Sequence, residues 1–243
     1  MSIKEYRLFI NNQWVSAEKD QQIPSIDPST GEAIANIAKA QGVDVEKAIG
    51  AAKTAFLSGA WSGLSIEERG KYLEKIAEKI RQHAKELAEI ESRDTGKTIK
   101  QTTFIDVPVC ADTFLYFSKI KKELEDRKLS ISAPVDSRVC YESVGVVGAI
   151  AAWNYPLIFF GWKVAPALIA GNTVVYKPSS VASLSVLRVF EIIQDILPAG
   201  VLNLITGGSE AGEYLAKSMD VDMLTFTGGT QTGQEIIKGA AAN

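Results

Sequence analysis

Apolar positions along the chain change period several times, and each change predicts a different kind of element. RLFINNQWV alternates around Asn11-Asn12 as a short hairpin does, and IPSIDPSTGEAIANIAKA sets short apolar runs between Pro and Gly, so an N-terminal β layer is expected. Helical spacing follows in VDVEKAIGAAKTAFLS. The stretch 65–95 then opens with Ser65 and Glu68 as a capping box and stops at Gly96, which predicts one long helix. A further helical stretch from Lys97 to Leu124 contains Pro108, which removes an N–H and should kink or divide it.

From Lys128 to Tyr141 the residues alternate and are β-branched but too polar for a central parallel strand, as in a protruding or edge hairpin. Beyond it four buried-type strands alternate with helical patterns: VGVVGAIAA, TVVYK, VLNLI and DMLTF each precede a helix. That series predicts right-handed βαβ crossovers and an α/β, Rossmann-like parallel sheet with helices on both faces.

In open α/β sheets ligands bind beyond the carboxyl ends of the strands. The four junctions there read WNYP (Trp153 to Pro156), KPSS (Lys177 to Ser180), TGGSEAG (Thr206 to Gly212) and FTGGTQTG (Phe226 to Gly233). The glycine-rich turns, each followed by a helix N-terminus, suit a phosphate or pyrophosphate, although turns of this type also occur for packing alone. No GxGxxG follows the first of these strands, no GxxxxGK[ST] occurs, and no tyrosine has a lysine four residues later. An ordinary dehydrogenase, a P-loop NTPase and a short-chain dehydrogenase are thereby disfavoured.

Lys177 at a strand end could hydrogen-bond a ribose hydroxyl or neutralise phosphate, or be a surface lysine. Asn154, between Trp153 and Tyr155-Pro156, offers a carboxamide N–H₂ to a developing oxyanion, or serves as a turn former.

Composition narrows the function classes. The chain has 243 residues, 46% of them hydrophobic and 23% charged, with a net charge of −3 and no basic stripe, so nucleic acid is not an expected partner. The apolar stretches are broken by Asn154, Pro156, Lys163 and Pro166, and the N-terminus lacks a signal-peptide core; a cytoplasmic protein without a membrane span is expected. Two isolated cysteines, Cys110 and Cys140, and the single His83 predict neither a disulfide framework nor a metal site. His83 reads as a partly buried helix residue.

Taken in order, WNYPL with Trp162-Lys163, AGNTVVYKPS, LPAGVLNLITGG and FTGGTQTG resemble the aldehyde dehydrogenase superfamily. So do IDPSTGEAIA and the DTGK of Asp94 to Lys97, and the resemblance covers the whole chain. It implies a dinucleotide-binding domain of residues 1–124 and 144–243, with residues 125–143 as a hairpin of an oligomerisation layer. It further implies an NAD or NADP cofactor, an aldehyde substrate and a homo-oligomer. Ile150, Ala151, Trp153, Lys177 and Ser180 match cofactor-contacting positions, as do Gly208, Gly212, Phe226, Thr227, Gly228 and Gly229. Asn154 matches the oxyanion-stabilising asparagine and Lys163 a further catalytic position, while Tyr155, Phe159 and Trp162 match the wall of the aldehyde tunnel.

Two departures from the family pattern bear on function. KPSS puts Ser180 where many NAD-preferring members carry glutamate, which leaves NAD versus NADP open, and Gly229 stands where the family often has serine. The nucleophilic cysteine and the general-base glutamate would lie beyond Asn243, so the catalytic domain is expected to be absent and the 243-residue chain to be inactive alone. Cys110 and Cys140, outside the four junctions, are not expected to replace the nucleophile. The resulting expectation is the cofactor-binding part of an aldehyde-oxidising enzyme, whose partner is a C-terminal half or a full-length homologue. The alternative is a non-catalytic nucleotide-binding or assembly module. Either way an exposed apolar surface is expected where a catalytic domain would pack.

Overall fold

The computed structural model describes residues 3–130 and 135–241. Its centre is a six-stranded sheet in the order β11-β8-β9-β10-β2-β3. Four strands are mutually parallel: β8 (Val146–Ile150), β9 (Thr173–Lys177), β10 (Leu202–Leu204) and β11 (Met223–Phe226). The hairpin β2 (Leu8–Ile10) and β3 (Gln13–Val15) continues that sheet antiparallel to β10, with Asn11 and Asn12 at φ of 52° and 57° in its turn. Positive φ at both central residues gives the turn the twist of its strands, which Asn tolerates.

The N-terminal β layer foreseen from the sequence is therefore divided. Only β1 (Lys4–Tyr6), β4 (Gln22–Ile26) and β5 (Ala33–Ala38) form a separate sheet, in the order β1-β5-β4.

Alternation along the strands produces a layer on each side. Val147, Ala149, Val174 and Tyr176 enter one core with residues of α2 (Ile66–Gln82), α3 (Ala84–Thr95), α5 (Val107–Phe117), α6 (Pro156–Ile169) and α7 (Leu184–Ile193). Val146, Ile150 and Val175 enter the other, with α1 (Gly42–Leu57) and α8 (Ser209–Lys217). A doubly covered parallel sheet is thus observed. The strands β6 (Arg127–Leu129) and β7 (Ser137–Val139) pair antiparallel by themselves; residues 131–134 of the expected hairpin lie outside the described residues.

The long helix expected over 65–95 is two helices. The capping box is present, Ser65 accepting from Glu68 N–H and Glu68 from Ser65 N–H, but His83, at φ −105° and ψ 17°, ends α2 and begins α3. An unbroken helix of that length would run about 45 Å. The break lets α2 pack on α5 and α6 while α3 turns onto α7.

The stretch is divided as expected, with Pro108 in the first turn of α5 rather than inside a continuous helix. Between α4 (Ile99–Gln101) and α5 lies a π-helical turn, Thr102–Asp106, in which Val107 N–H donates to Thr102 C=O. The widened turn accommodates the missing N–H and swings Asp106 into the interior, where it is fully buried.

At the opposite end of the sheet β11 has, among the described residues, a neighbour on one side only, and α9 (Thr230–Ala240) has no buried residue. Met219, Met223 and Ile237 are 72%, 50% and 71% exposed around that edge, an apolar surface of the kind expected.

Candidate functional site

Strand register builds the site. Phe226 is the register partner of Ile150, and Ile150 of Lys177, so three candidate residues form one row across the carboxyl ends of β11, β8 and β9. The helices that follow β10 and β11 begin at the same end, α8 after Gly208 and α9 after Gly229. Neither glycine supplies a side-chain cap, and a methyl group on either would meet nothing within 4 Å. Two helix N-termini thus present free N–H groups and partial positive charge to open space.

Between these elements lies a cleft of about 1020 Å³. Its walls include Ile150, Ala151, Trp153, Asn154, Phe159, Lys177 and Ser180, together with Gly208, Gly212, Phe226, Thr227, Gly228 and Gly229. The structure therefore collects these residues from all four junctions.

Lys177 defines the electrostatics. It is 6% exposed, its Nζ donates to the Pro178 carbonyl at 3.2 Å, and burial alone pushes its pKa down to about 8. A desolvated cation without an acid to balance it is a prepared partner for a ligand anion. Its stem runs beneath α8: a Cβ on Gly212 would lie 3.6 Å from Cδ and Cε of Lys177, so the absent side chain lets helix and lysine approach. At the rim the other charges are paired within helices, Glu213 with Lys217 at 2.5 Å and Glu235 with Lys238 at 2.9 Å.

Asn154 sits on the exposed bend between β8 and α6, beside Trp153, which is 58% exposed. That bend is tied down on both sides. Ala151 N–H reaches Lys177 C=O at 3.1 Å, and Phe159 N–H reaches Tyr155 C=O at 2.9 Å as α6 begins at Pro156.

Three candidates lie outside the cleft walls. Lys163 is buried in the middle of α6 and donates to Thr225 Oγ1 at 3.1 Å, its pKa pushed down to about 8 by burial. Trp162 is 56% exposed on α6, its ring edge-on to Phe159 with centroids 6.0 Å apart. Tyr155, half-buried, stacks edge-on to Phe159 on the other side, with centroids 6.2 Å apart.

Cys110 is fully buried in α5, and burial pushes its thiol far up; Cys140 is exposed and follows β7. Neither lines the cleft.

Residues that sequence reading passed over include Ser179, Glu213, Gln231, Thr232 and Glu235, all on the cleft walls. Their signal was position: each follows a recognised glycine or lysine by two to six residues, within the first turns of α8 and α9 or the turn after β9. Among the described residues no three His, Cys, Asp or Glu side chains are grouped to hold a metal, and no helix is long and apolar enough to cross a membrane.

The cleft thus lies at the carboxyl ends of the parallel strands, beside two glycine-led helix N-termini and a buried lysine, which is where open α/β sheets bind their ligands. The aldehyde dehydrogenase family profile matches residues 14–243, and the chain belongs to that family. It is similar to the betaine aldehyde dehydrogenase of Bacillus subtilis (strain 168), 44% identical over 241 residues that cover 97% of this chain and 49% of the relative. The mitochondrial benzaldehyde dehydrogenase of Antirrhinum majus is 36% identical over 240 residues, covering 98% of this chain and 45% of that protein. A crystal structure of a Staphylococcus aureus betaine aldehyde dehydrogenase point mutant in complex with NAD+ superposes with a TM-score of 0.93 at 38% identity. It is covered to 49%, and this chain to 98%. The chain thus spans about half the length of the relatives it matches.

Proposed function

We propose that this chain is the cofactor-holding part of an NAD(P)-dependent aldehyde dehydrogenase that oxidises an aldehyde to a carboxylic acid. The observation that carries the reading is the buried, acid-free Lys177 facing the N-termini of α8 and α9 across one cleft. The cleft fits a dinucleotide by its donor set: one cation, two sets of free helix N–H groups, and glycines where a side chain would narrow the approach. Support comes also from the NAD+ complex of the Staphylococcus aureus relative.

In this reading Lys177 and Ser180 meet the ribose hydroxyls or a 2′-phosphate, and Phe226 to Gly229 lie beside the pyrophosphate. Ile150, Ala151, Trp153, Gly208 and Gly212 shape the remaining contact surface. The absence of a carboxylate at Ser180 removes repulsion of a 2′-phosphate, so NADP+ is accepted beside NAD+. Bound there, the nicotinamide supplies a hydride acceptor.

Asn154 donates its carboxamide N–H₂ to the oxyanion that develops on the aldehyde oxygen, and Tyr155, Phe159 and Trp162 wall the approach of the aldehyde. Lys163 acts from beneath through Thr225, whose strand leads into the Phe226 turn. The nucleophilic cysteine and the general base come from a C-terminal half or a full-length homologue, and the paired strands β6 and β7 belong to an oligomerisation layer in a cytoplasmic assembly.

A second reading, a non-catalytic nucleotide-holding module, is favoured by one observation: no cysteine lines the cleft. Calorimetric titration of the purified chain with NAD+, NADP+ and ADP-ribose tests both readings. Saturable binding of all three is expected, and no heat with any of them overturns both.

A further inference from the structure

Beneath the Asn154 bend lies a buried ionic cluster that the cleft does not use. Lys97, whose side chain is 13% exposed, places Nζ 2.5 Å from Asp106 Oδ2 and 4.0 Å from Glu91 Oε1, and both carboxylates are fully buried. The third partner of the ammonium is an aromatic face: Nζ lies 3.8 Å from the centroid of the Tyr155 ring. An ammonium this deep needs every direction filled, and a cation over an aromatic face gains more as water is removed.

Each member is delivered by a distinct local feature. Gly96, at φ 76°, ends α3 and turns the chain so that Lys97 points back under α6. The π-helical turn brings Asp106 inward, leaving its Oδ1 as a buried atom without a hydrogen-bond partner. Glu91, one helical turn before Gly96, accepts from the Ser185 hydroxyl and from Leu157 N–H at 3.5 Å. The cluster therefore grips the start of α6 on both sides of Pro156, through the Tyr155 ring and the Leu157 amide. Asn154 is the next residue toward the cleft and is itself exposed.

We propose that Lys97 is a positioning residue for the Asn154 carboxamide, holding the bend through the Tyr155 ring and itself held by Asp106 and Glu91. The role rests on the reading of Asn154 as the oxyanion donor. Lys97 touches no reacting atom; it narrows the set of directions in which the carboxamide points, and misplacement of such a donor by about 1 Å is costly.

The test is amide hydrogen exchange across residues 153–157 of the full chain, for Lys97→Met, Lys97→Arg, Tyr155→Leu and Tyr155→Phe, with an NAD+ titration of the unaltered chain beside it. Lys97→Met and Tyr155→Leu should each speed exchange of the Trp153, Asn154, Tyr155 and Leu157 amides about tenfold, as expected on losing a desolvated cation–π contact. Exchange in α5 and β8 should stay unchanged. Lys97→Arg keeps a cation and Tyr155→Phe keeps a ring, so both should remain near the unaltered rate, and the double variant Lys97→Met/Tyr155→Leu should be no faster than either single. Exchange at 153–157 within twofold of the unaltered chain in Lys97→Met, or an equal rise throughout α5 and β8, overturns the proposal. If Lys97→Met does not fold, the contrast between Tyr155→Leu and Tyr155→Phe decides it. An unaltered chain that binds no NAD+ sinks the dinucleotide reading, while the exchange data still decide whether Lys97 orders the bend.

Discussion

The ring of Phe226 lies against the backbone of Gly228, so closely that a methyl group on Gly228 would run into its Cζ and Cε2 atoms. The turn after β11 and the aromatic residue that ends the strand are therefore one unit. Gly228→Ala should push the ring into the cleft and weaken NAD+ binding by about tenfold, or roughly 1.4 kcal/mol, with little change in thermal midpoint. Titration of the variant checks this; unchanged affinity would separate the ring from the ligand.

Lys177 predicts a pH dependence of binding. Burial holds its pKa at about 8, so the free protein carries the cation below that pH and loses it above. A bound anion favours the protonated form, and affinity for a dinucleotide should fall as pH rises through 8 toward 9.5. Lys177→Met should bind more weakly at pH 7 and lose most of the slope. Equal slopes in the two proteins, measured by calorimetry, would remove Lys177 from the site.

Two buried carboxyls should make stability depend on pH in the opposite range. Burial raises Glu91 to about 7 and Asp94 to about 6. Between the ordinary carboxyl range and those values the folded chain keeps protons that the unfolded chain has released, so unfolding free energy falls as pH rises from 4.5 to 7. Glu91→Gln should flatten part of that fall, on the order of 2 kcal/mol. Urea unfolding at pH 5 and 7.5 measures it, and an identical pH dependence in Glu91→Gln would contradict the assignment.

The apolar edge around Met219, Met223 and Ile237 should drive concentration-dependent self-association. Sedimentation should show larger species at higher concentration, and Ile237→Lys should reduce them without changing NAD+ affinity. A unaltered chain that stays monomeric at high concentration contradicts this.

With Cys110 sealed in α5 and Cys140 outside the cleft, the chain alone should not turn over aldehyde. Sustained aldehyde-dependent reduction of NAD+ or NADP+ by the purified protein would show that a nucleophile is present after all.

The amino-acid sequence alone determined the period of each element, and with it the class of fold. The short apolar runs VGVVGAI and TVVYK, glycines after the strands and the Ser65–Glu68 box are short-range signals, because backbone sterics and capping act within a few residues. The ligand end of the sheet was legible for the same reason, since strand and helix alternate in order. What tertiary structure decided were relations between distant residues. His83 breaks its helix because α2 and α3 face different partners, and β2 and β3 leave the N-terminal layer because β10 offers an edge. Lys163 turns to Thr225 rather than the cleft, while Lys97 finds the ring of Tyr155, 58 positions away, only after the π-helical turn has brought Asp106 inward. Register and packing fix such meetings by burial summed over the whole core, and no local pattern of polar and apolar positions encodes that sum.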